Sequence, residues 1–449
     1  MKRATLALLG LAALAGGITA TLPSAEAQRI DPRRPAVFVV GPPPGASPMH
    51  RVDARRSGVT KSPLPSGALR VAWRKTTGLT IDQPALSGEG GLLAVVSVRG
   101  DVSFLDEAGE ERAIVKVGAA QVGAAAMTSD GTVVYTTSSG DAIGVRRSIH
   151  HPRFSTRVGG ERNVRAAPLA LDDGGVVVAT TSDLIVLDSE GNVRSRVSLP
   201  EGPAAPLLAA GDRILAVTTT GNVFAWAPGR EPIRIGSFGA PVDGAAVLDD
   251  NDRLIGVVEG NHLVEIDLTR GGRTTRSIAP QGLYLGPPTV QSAAGGASTA
   301  TLLALTHSRG FVVSVDAAGQ ELLRAPIAVV TPVMLPDGGA APLVAPPHVG
   351  PLVDPSGTMA FAAPDSHVGV LSADGAVHML DETLCMKGTR SGIVGLTPFG
   401  SGGFAVTCDN GTVLRIVGPN AGHVPTPPAS ARSAEPPKPE SSPSPADDD

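Results

Sequence analysis

Apolar and polar positions alternate along most of this chain in short runs, each bounded by a Gly/Asp turn. Asp130-Gly131-Thr132-Val133-Val134-Tyr135-Thr136-Thr137-Ser138-Ser139-Gly140 is one such phrase, and Gly211 to Gly221 is another. Alternation with period two predicts β-strands with one face buried. In the third unit, Ala167–Leu171, Gly175–Thr181, Leu184–Asp188 and Val193–Val197 read as four antiparallel strands joined by tight turns. Aligned on the residue that turns the second strand into the third, the units fall at Gly100, Gly140, Asp183, Gly221, Gly260, Gly310, His367 and Gly411. The successive intervals are 40, 43, 38, 39, 50, 57 and 44 residues. A period of this length signals a propeller or a solenoid. The two long intervals contain visible insertions, Ser292 to Thr299 and Pro336 to Val349. Each unit opens on small residues, such as Ala124-Ala125-Ala126 and Gly244-Ala245-Ala246, as strands converging on an axis require.

The ends sharpen this picture. The eighth unit has three strands, about Ile393–Thr397, Phe404–Cys408 and Val413–Val417, and a spare strand, Leu69–Arg74, precedes the first unit. If the spare strand completes the last unit, a ring closes and no sheet edge is left open there. The expected fold is therefore all-β: an eight-bladed β-propeller of four-stranded antiparallel blades, closed by an N-terminal strand, over residues 67–420. Residues 28–66, rich in Pro and Arg, read as an extended lead-in, and residues 421–449, rich in Pro, Ser and Asp, as a disordered tail.

Composition narrows the function classes. Gly (55) and Pro (40) together exceed a fifth of the 449 residues, which suits many tight turns. A net charge of −5 and 3% aromatics leave neither the basic face nor the stacking platforms that nucleic acids need. Lys2-Arg3, the apolar stretch Ala4 to Ala15 and Ala25-Glu26-Ala27 form an export signal, with cleavage expected after Ala27. No later segment is long and apolar enough to span a bilayer as a helix. The mature chain is expected to be periplasmic or secreted, and a monomer. Cys385 and Cys408 are the two cysteines. They form either a disulfide, which an oxidising compartment permits, or two buried small residues on neighbouring strands.

From about Met49 to Val417 the chain resembles the PQQ-like (pyrroloquinoline quinone-like) β-propeller repeat proteins. The residues that carry this are Asp53-Ala54-Arg55-Arg56-Ser57-Gly58 followed by Val71-Ala72-Trp73, then stretches such as Gly100 to Gly109, Ser182 to Gly191 and Gly310 to Gly319. The resemblance implies an eight-bladed ring, as in the quinoprotein dehydrogenases and the outer-membrane-protein assembly lipoprotein. The quinoproteins would imply adjacent cysteines and a Trp-rich docking motif. Here no two cysteines are adjacent and the tryptophans are Trp73 and Trp226 alone, so no cofactor is expected. The lipid-bearing Cys of the assembly lipoprotein has no counterpart after the apolar stretch.

Candidate chemistry mostly dissolves into turns. His150-His151 reads as a solvated basic loop, since neighbours on a strand face opposite ways. Asp249-Asp250-Asn251-Asp252, with Glu259 beyond, has oxygen donors but lacks the alternate spacing of a calcium loop. Asn410-Gly411-Thr412 matches a glycosylation acceptor and also a hairpin turn, the reading its place in the repeat favours. No nucleophile elbow is present, so no catalytic or metal residues are assigned. His367 and His378 replace small or apolar residues of other units, and His348 lies in the seventh unit's insertion. These three histidines mark the candidate binding region. The expected role is a non-enzymatic scaffold that binds an envelope or extracellular protein. The alternatives are a quinoprotein-type oxidoreductase or other propeller enzyme, and a structural surface protein.

Overall fold

The strands form where the alternation places them, and a computed structural model arranges them as eight four-stranded antiparallel sheets. It describes residues 46–88, 90–160, 166–270, 272–277, 282–292, 298–306, 309–329, 332–334, 340–342, 349–387 and 390–419. Blade 1 runs from Leu86–Gly88 to Glu111–Val115, blade 2 from Gln121–Met127 to Phe154–Arg157, and blade 3 from Leu169–Ala170 to Val193–Ser198. Blade 4 spans Leu208–Ala210 to Ile233–Ser237, blade 5 Val247–Leu248 to Gly272–Ser277, and blade 6 Leu283–Ser292 to Glu321–Val329. Blade 7 spans Leu352–Val353 to Val377–Met379. Blade 8 is Ile393–Pro398, Gly403–Cys408, Thr412–Val417 and the N-terminal strand Arg70–Thr76, which pairs with Thr412–Val417. Arg70 lies opposite Val417 and Thr76 opposite Thr412, with a bulge between Val71 and Trp73. Among the described residues no helix is long and apolar enough to cross a membrane.

The turns have a local cause. Asp106 Oδ1 accepts the backbone N–H of Ala108 and Glu110, both at 2.9 Å. Asp188 caps Glu190 and Asn192 at 2.9 and 2.8 Å, and Asp316 caps Ala318 and Gln320 at 2.8 Å each. Gly109, Gly191 and Gly319, three residues after each Asp, hold φ of 80°, 84° and 81°, where a side chain would be strained. The repeat's Asp-x-x-Gly is thus a turn device, and its carboxylates are committed to backbone.

Packing between blades closes the ring. Blades 1 and 2 share one buried cluster, around Phe104 and Tyr135, and blades 2 and 3 share another, around Val134 and Ile185. The series continues to the cluster that joins blade 8 to blade 1, through Trp73, Phe399 and Leu93. Each of the eight blade interfaces has its own cluster. Strands one and two, and three and four, join on one face, here the turn face. Strands two and three, and successive blades, join on the opposite face, the connection face. Two small hairpins depart from the repeat. Pro332–Met334 pairs with Ala340–Pro342 between blades 6 and 7, and Met386–Lys387 with Arg390–Ser391 between blades 7 and 8.

One sequence expectation needs correction. Residues 46–66 belong to no loose lead-in. Ala46, Met49, Val52, Ala54 and Leu64 are buried, and the segment runs inside the ring. Residues 28–45, the signal at 1–27 and the tail at 421–449 lie outside the described residues.

Candidate functional site at the propeller axis

The first strand of each blade turns one edge toward the axis, leaving N–H and C=O groups that burial would penalise. The axial segment, residues 46–64, supplies their partners and visits the blades in order. Ser47 exchanges two hydrogen bonds with Ser87 of blade 1, at 2.8 and 3.1 Å, and Met127 N–H of blade 2 donates to Pro48 C=O. Ala54 C=O accepts from Ala209 of blade 4, Arg55 C=O from Leu248 of blade 5 and Ser57 C=O from Val290 of blade 6. Gly58 C=O accepts from Val353 of blade 7, whose C=O takes the N–H of Thr60.

Two buried arginines complete the lining. Arg56, 0% exposed, donates from Nε to Leu207 C=O at 3.0 Å. Its Nη1 reaches His50 C=O and its Nη2 reaches Pro168 C=O of blade 3, each at 2.9 Å. Arg51 donates to Pro351 C=O of blade 7 at 2.9 Å and to Pro288 C=O of blade 6 at 2.5 Å. Five fixed donors on a planar fork suit an arginine to carbonyls converging from several blades. Asp53 accepts the N–H of Arg55 and Ser57, each at 3.0 Å, and the Ser57 hydroxyl at 2.7 Å. To turn this tightly, Arg51, Val52 and Arg56 adopt positive φ of 63°, 77° and 57°. The surrounding bonds hold that strained backbone in place.

This buried chemistry shifts titration. Burial lowers the Arg51 guanidinium to about 9 and that of Arg56 to about 10, each partly opposed by Asp53. Burial raises the Asp53 carboxyl. His50 is lowered to about 3, first by burial and then by Arg56 and Arg51. Its Nδ1 and the Arg51 Nε have no hydrogen-bond partner.

The fold's name raises the question of a quinone. Between His50, Arg51, Pro84, Pro287 and Leu396 the axis narrows to a void of about 30 Å³, too small for a three-ring cofactor. Neither tryptophan offers a stacking platform there. Trp73 packs edge-on to Phe399 at the 8/1 interface and donates to Glu107 C=O, while Trp226 donates to Arg230 C=O within blade 4. The described residues do not fit the group.

The sequence-derived candidates fall elsewhere. His367 sits in the second-to-third-strand turn of blade 7. Its Nδ1 is 3.2 Å from Asp365 Oδ1 and its Nε2 3.2 Å from Thr383 Oγ1. The same Asp365 oxygen accepts the His367 backbone N–H at 3.2 Å, so the carboxylate caps its own turn. His378 lies on the fourth strand opposite Val370, and no hydrogen bond or ion pair joins it to His367. His348 lies outside the described residues. Asp249 is a turn cap: Oδ1 accepts Asn251 and Arg253 N–H at 2.9 and 2.8 Å, and Oδ2 pairs with Arg253 Nε at 2.8 Å. Among the described residues no cluster of acids, His or Cys could hold a metal. His150 and His151 are exposed, and Asn410 caps Thr412 in its hairpin turn at 2.9 Å.

Cys385 and Cys408 are bonded, with Cα atoms 5.4 Å apart and 23 residues of separation. A loop of that length stabilises by about 3 kcal/mol through the unfolded chain. Cys385→Ser with Cys408→Ser, or reduction, is expected to lower the unfolding free energy by that amount. A denaturant titration with and without reductant reads it, and an unchanged midpoint would refute the bridge's contribution.

Known proteins place the fold. No protein-family model and no curated protein sequence matches the chain. Solved structures do. BamB from Moraxella catarrhalis is 16% identical over 80% of this chain and 100% of its own, with a TM-score of 0.55. The computationally designed Ika8 protein is 14% identical over 76% of this chain and 99% of its own, with a TM-score of 0.55. Quinohemoprotein alcohol dehydrogenase from Comamonas testosteroni is 10% identical over 83% and 80%, with a TM-score of 0.57. The chain has the PQQ-like eight-bladed β-propeller fold. A designed protein, an alcohol dehydrogenase and BamB share it, so function must be argued from the surfaces.

Proposed function

We propose that this chain is an exported, non-enzymatic propeller that binds a protein of the cell envelope as a scaffold. The observation that carries this reading is the pair of extra hairpins, Pro332–Met334/Ala340–Pro342 and Met386–Lys387/Arg390–Ser391. Both depart from the repeat, both stand on the connection face, and they flank one blade. Additions to a rigid ring are where binding function concentrates, and a two-stranded hairpin has free edges that a partner strand can extend. The Cys385–Cys408 bond anchors the base of the second hairpin to blade 8. Two further facts support binding over catalysis. The repeat's turn carboxylates are occupied as caps, and the axis is filled by the chain itself.

The test is a pull-down from envelope extract with the full chain and with residues 332–342 replaced by a short Gly-Ser loop. The full chain is expected to retain a partner that the loop variant loses, while removal of residues 421–449 leaves it bound. Equal capture by the loop variant would overturn the assignment of the docking face.

A further inference from the structure

On the opposite, turn face, blades 1 to 3 enclose a cavity of about 440 Å³ whose chemistry is divided between floor and rim. The floor is apolar: Met49 of the axial segment, Leu92 of blade 1, Met127 of blade 2 and Ala170 of blade 3. Two methionines give it an adaptable surface that accepts differing shapes. The space is open where it needs to be, since a side chain added at Gly90 or Gly131 would meet no atom within 4 Å.

Among the described residues the rim carries more cations than acids. Arg146 and Arg147, in the turn between the third and fourth strands of blade 2, both line the cavity, with Ser129 and Ser148 beside them. The acid among the rim's described residues, Asp130, is already engaged. It accepts the Thr128 hydroxyl at 2.7 Å and the Thr132 N–H at 3.1 Å, and it pairs with Arg153. Arg146 makes a long ion pair with it at 3.8 Å, without a hydrogen bond, and so keeps its donors for a ligand. Arg147 is exposed and has no polar partner among the described residues. Two guanidinium forks and two hydroxyls therefore face a cavity whose base can bury an apolar body. Ligand sites of this size are mostly apolar with a few polar groups that fix orientation, and guanidinium forks match carboxylates.

The geometry points to a binding site for carboxylates that carry an apolar body of medium size. The carboxylate sits between Arg146 and Arg147, and the apolar part lies on Met49, Leu92 and Met127. A free aliphatic or aromatic acid supplies that chemistry, and so does the C-terminal residue of a peptide ending in a large apolar side chain. The site is independent of the scaffold reading. It lies on the other face, and loss of hairpin-dependent capture would leave it intact.

Calorimetric titration of the full chain tests it with octanoate and octanamide, and with a hexapeptide ending in Leu as free acid and as amide. An acid is expected to bind about tenfold more tightly than its amide, the size of a charge-assisted contact pair. Whichever of the free acid and the peptide acid binds more tightly identifies the source. Arg146→Gln with Arg147→Gln is expected to remove the preference for the acid, and Ser129→Trp, at an exposed rim position, to block both probes. Thermal melts of both variants, expected to match the parent, exclude misfolding. Equal binding of acid and amide, an acid preference that survives the double Gln variant, or no binding of any probe would overturn the site.

Discussion

A chain that begins at residue 66 is expected not to fold. It keeps every blade strand, including Arg70–Thr76, and loses the axial segment with the residues that precede it. The first strands of blades 1, 2, 4, 5, 6 and 7 would then present buried N–H and C=O groups without their Ser47, Pro48, Ala54, Arg55, Ser57 and Gly58 partners. Each orphaned buried group costs about 1–3 kcal/mol, and together they match the whole of the roughly 5–15 kcal/mol that ordinarily stabilises a folded protein. Circular dichroism and limited proteolysis distinguish the outcomes, and a cooperative melt from the truncated chain would refute the role given to the segment. Arg56→Ala is the graded version. It strands the carbonyls of Leu207, His50 and Pro168 and opens a cavity, for a loss of about 3 kcal/mol. Arg194→Ala, which breaks an exposed pair with Asp173, should cost less than about 1 kcal/mol. The contrast between the two arginines is the measurement that matters.

The second large effect is a loss of stability in mild acid. His50 is held to about 3 by burial beside Arg56 and Arg51, against about 6.5 in an unfolded chain. Between these values the unfolded state binds the extra proton, so stability falls as pH falls through 6.5. From pH 7 to pH 5 the loss is about 2 kcal/mol. That window lies above the range in which Asp130 titrates, since bonds from Thr128, Thr132 and Arg153 overcome its desolvation and hold its carboxyl below the ordinary range. His50→Gln keeps a polar neutral side chain and removes the titration. Urea midpoints at pH 7 and pH 5 are expected to diverge for the parent and to coincide more closely for the variant. A parent whose midpoint is flat across that interval would show that the ring admits a proton at His50 without cost.

How much of this was legible depended on how local its cause is. The blade count and the turns could be read because Asp106, Asp188 and Asp316 act within four residues of themselves. The pairing of Arg70–Thr76 with blade 8 was readable by arithmetic, since one unit lacked a strand and one strand lacked a unit. The axial segment was not readable. Its Pro and Arg content resembles that of a linker, and what distinguishes it is partners 112, 151 and 300 residues away. Asp53-Ala54-Arg55-Arg56-Ser57-Gly58 carried a family likeness, but nothing in its pattern says that the ring wraps around it. The candidate region around His367 and His378 was drawn from their departure from the repeat. The structure gives His367 a turn-capping neighbour instead of a shared site with His378. The rim arginines Arg146 and Arg147 were not singled out in the sequence, because the cavity beneath them is assembled from three blades and the axis.

The order in which the axial segment meets the blades also constrains how the ring can be made. Residues 47–60 leave the ribosome early, yet their partners run through Val353, and the final strand pair, Thr76 with Thr412, spans 336 positions. Contacts that distant carry a large loop-closure cost before any reward, which slows folding. Blades 1 to 7 emerge with an unsealed seam, and only Thr412–Val417 closes it. The ring therefore closes only after residues 412–417 have been made. A chain interrupted before residue 412 would hold nearly all of its strands and have no closed circumference, leaving it open to proteases.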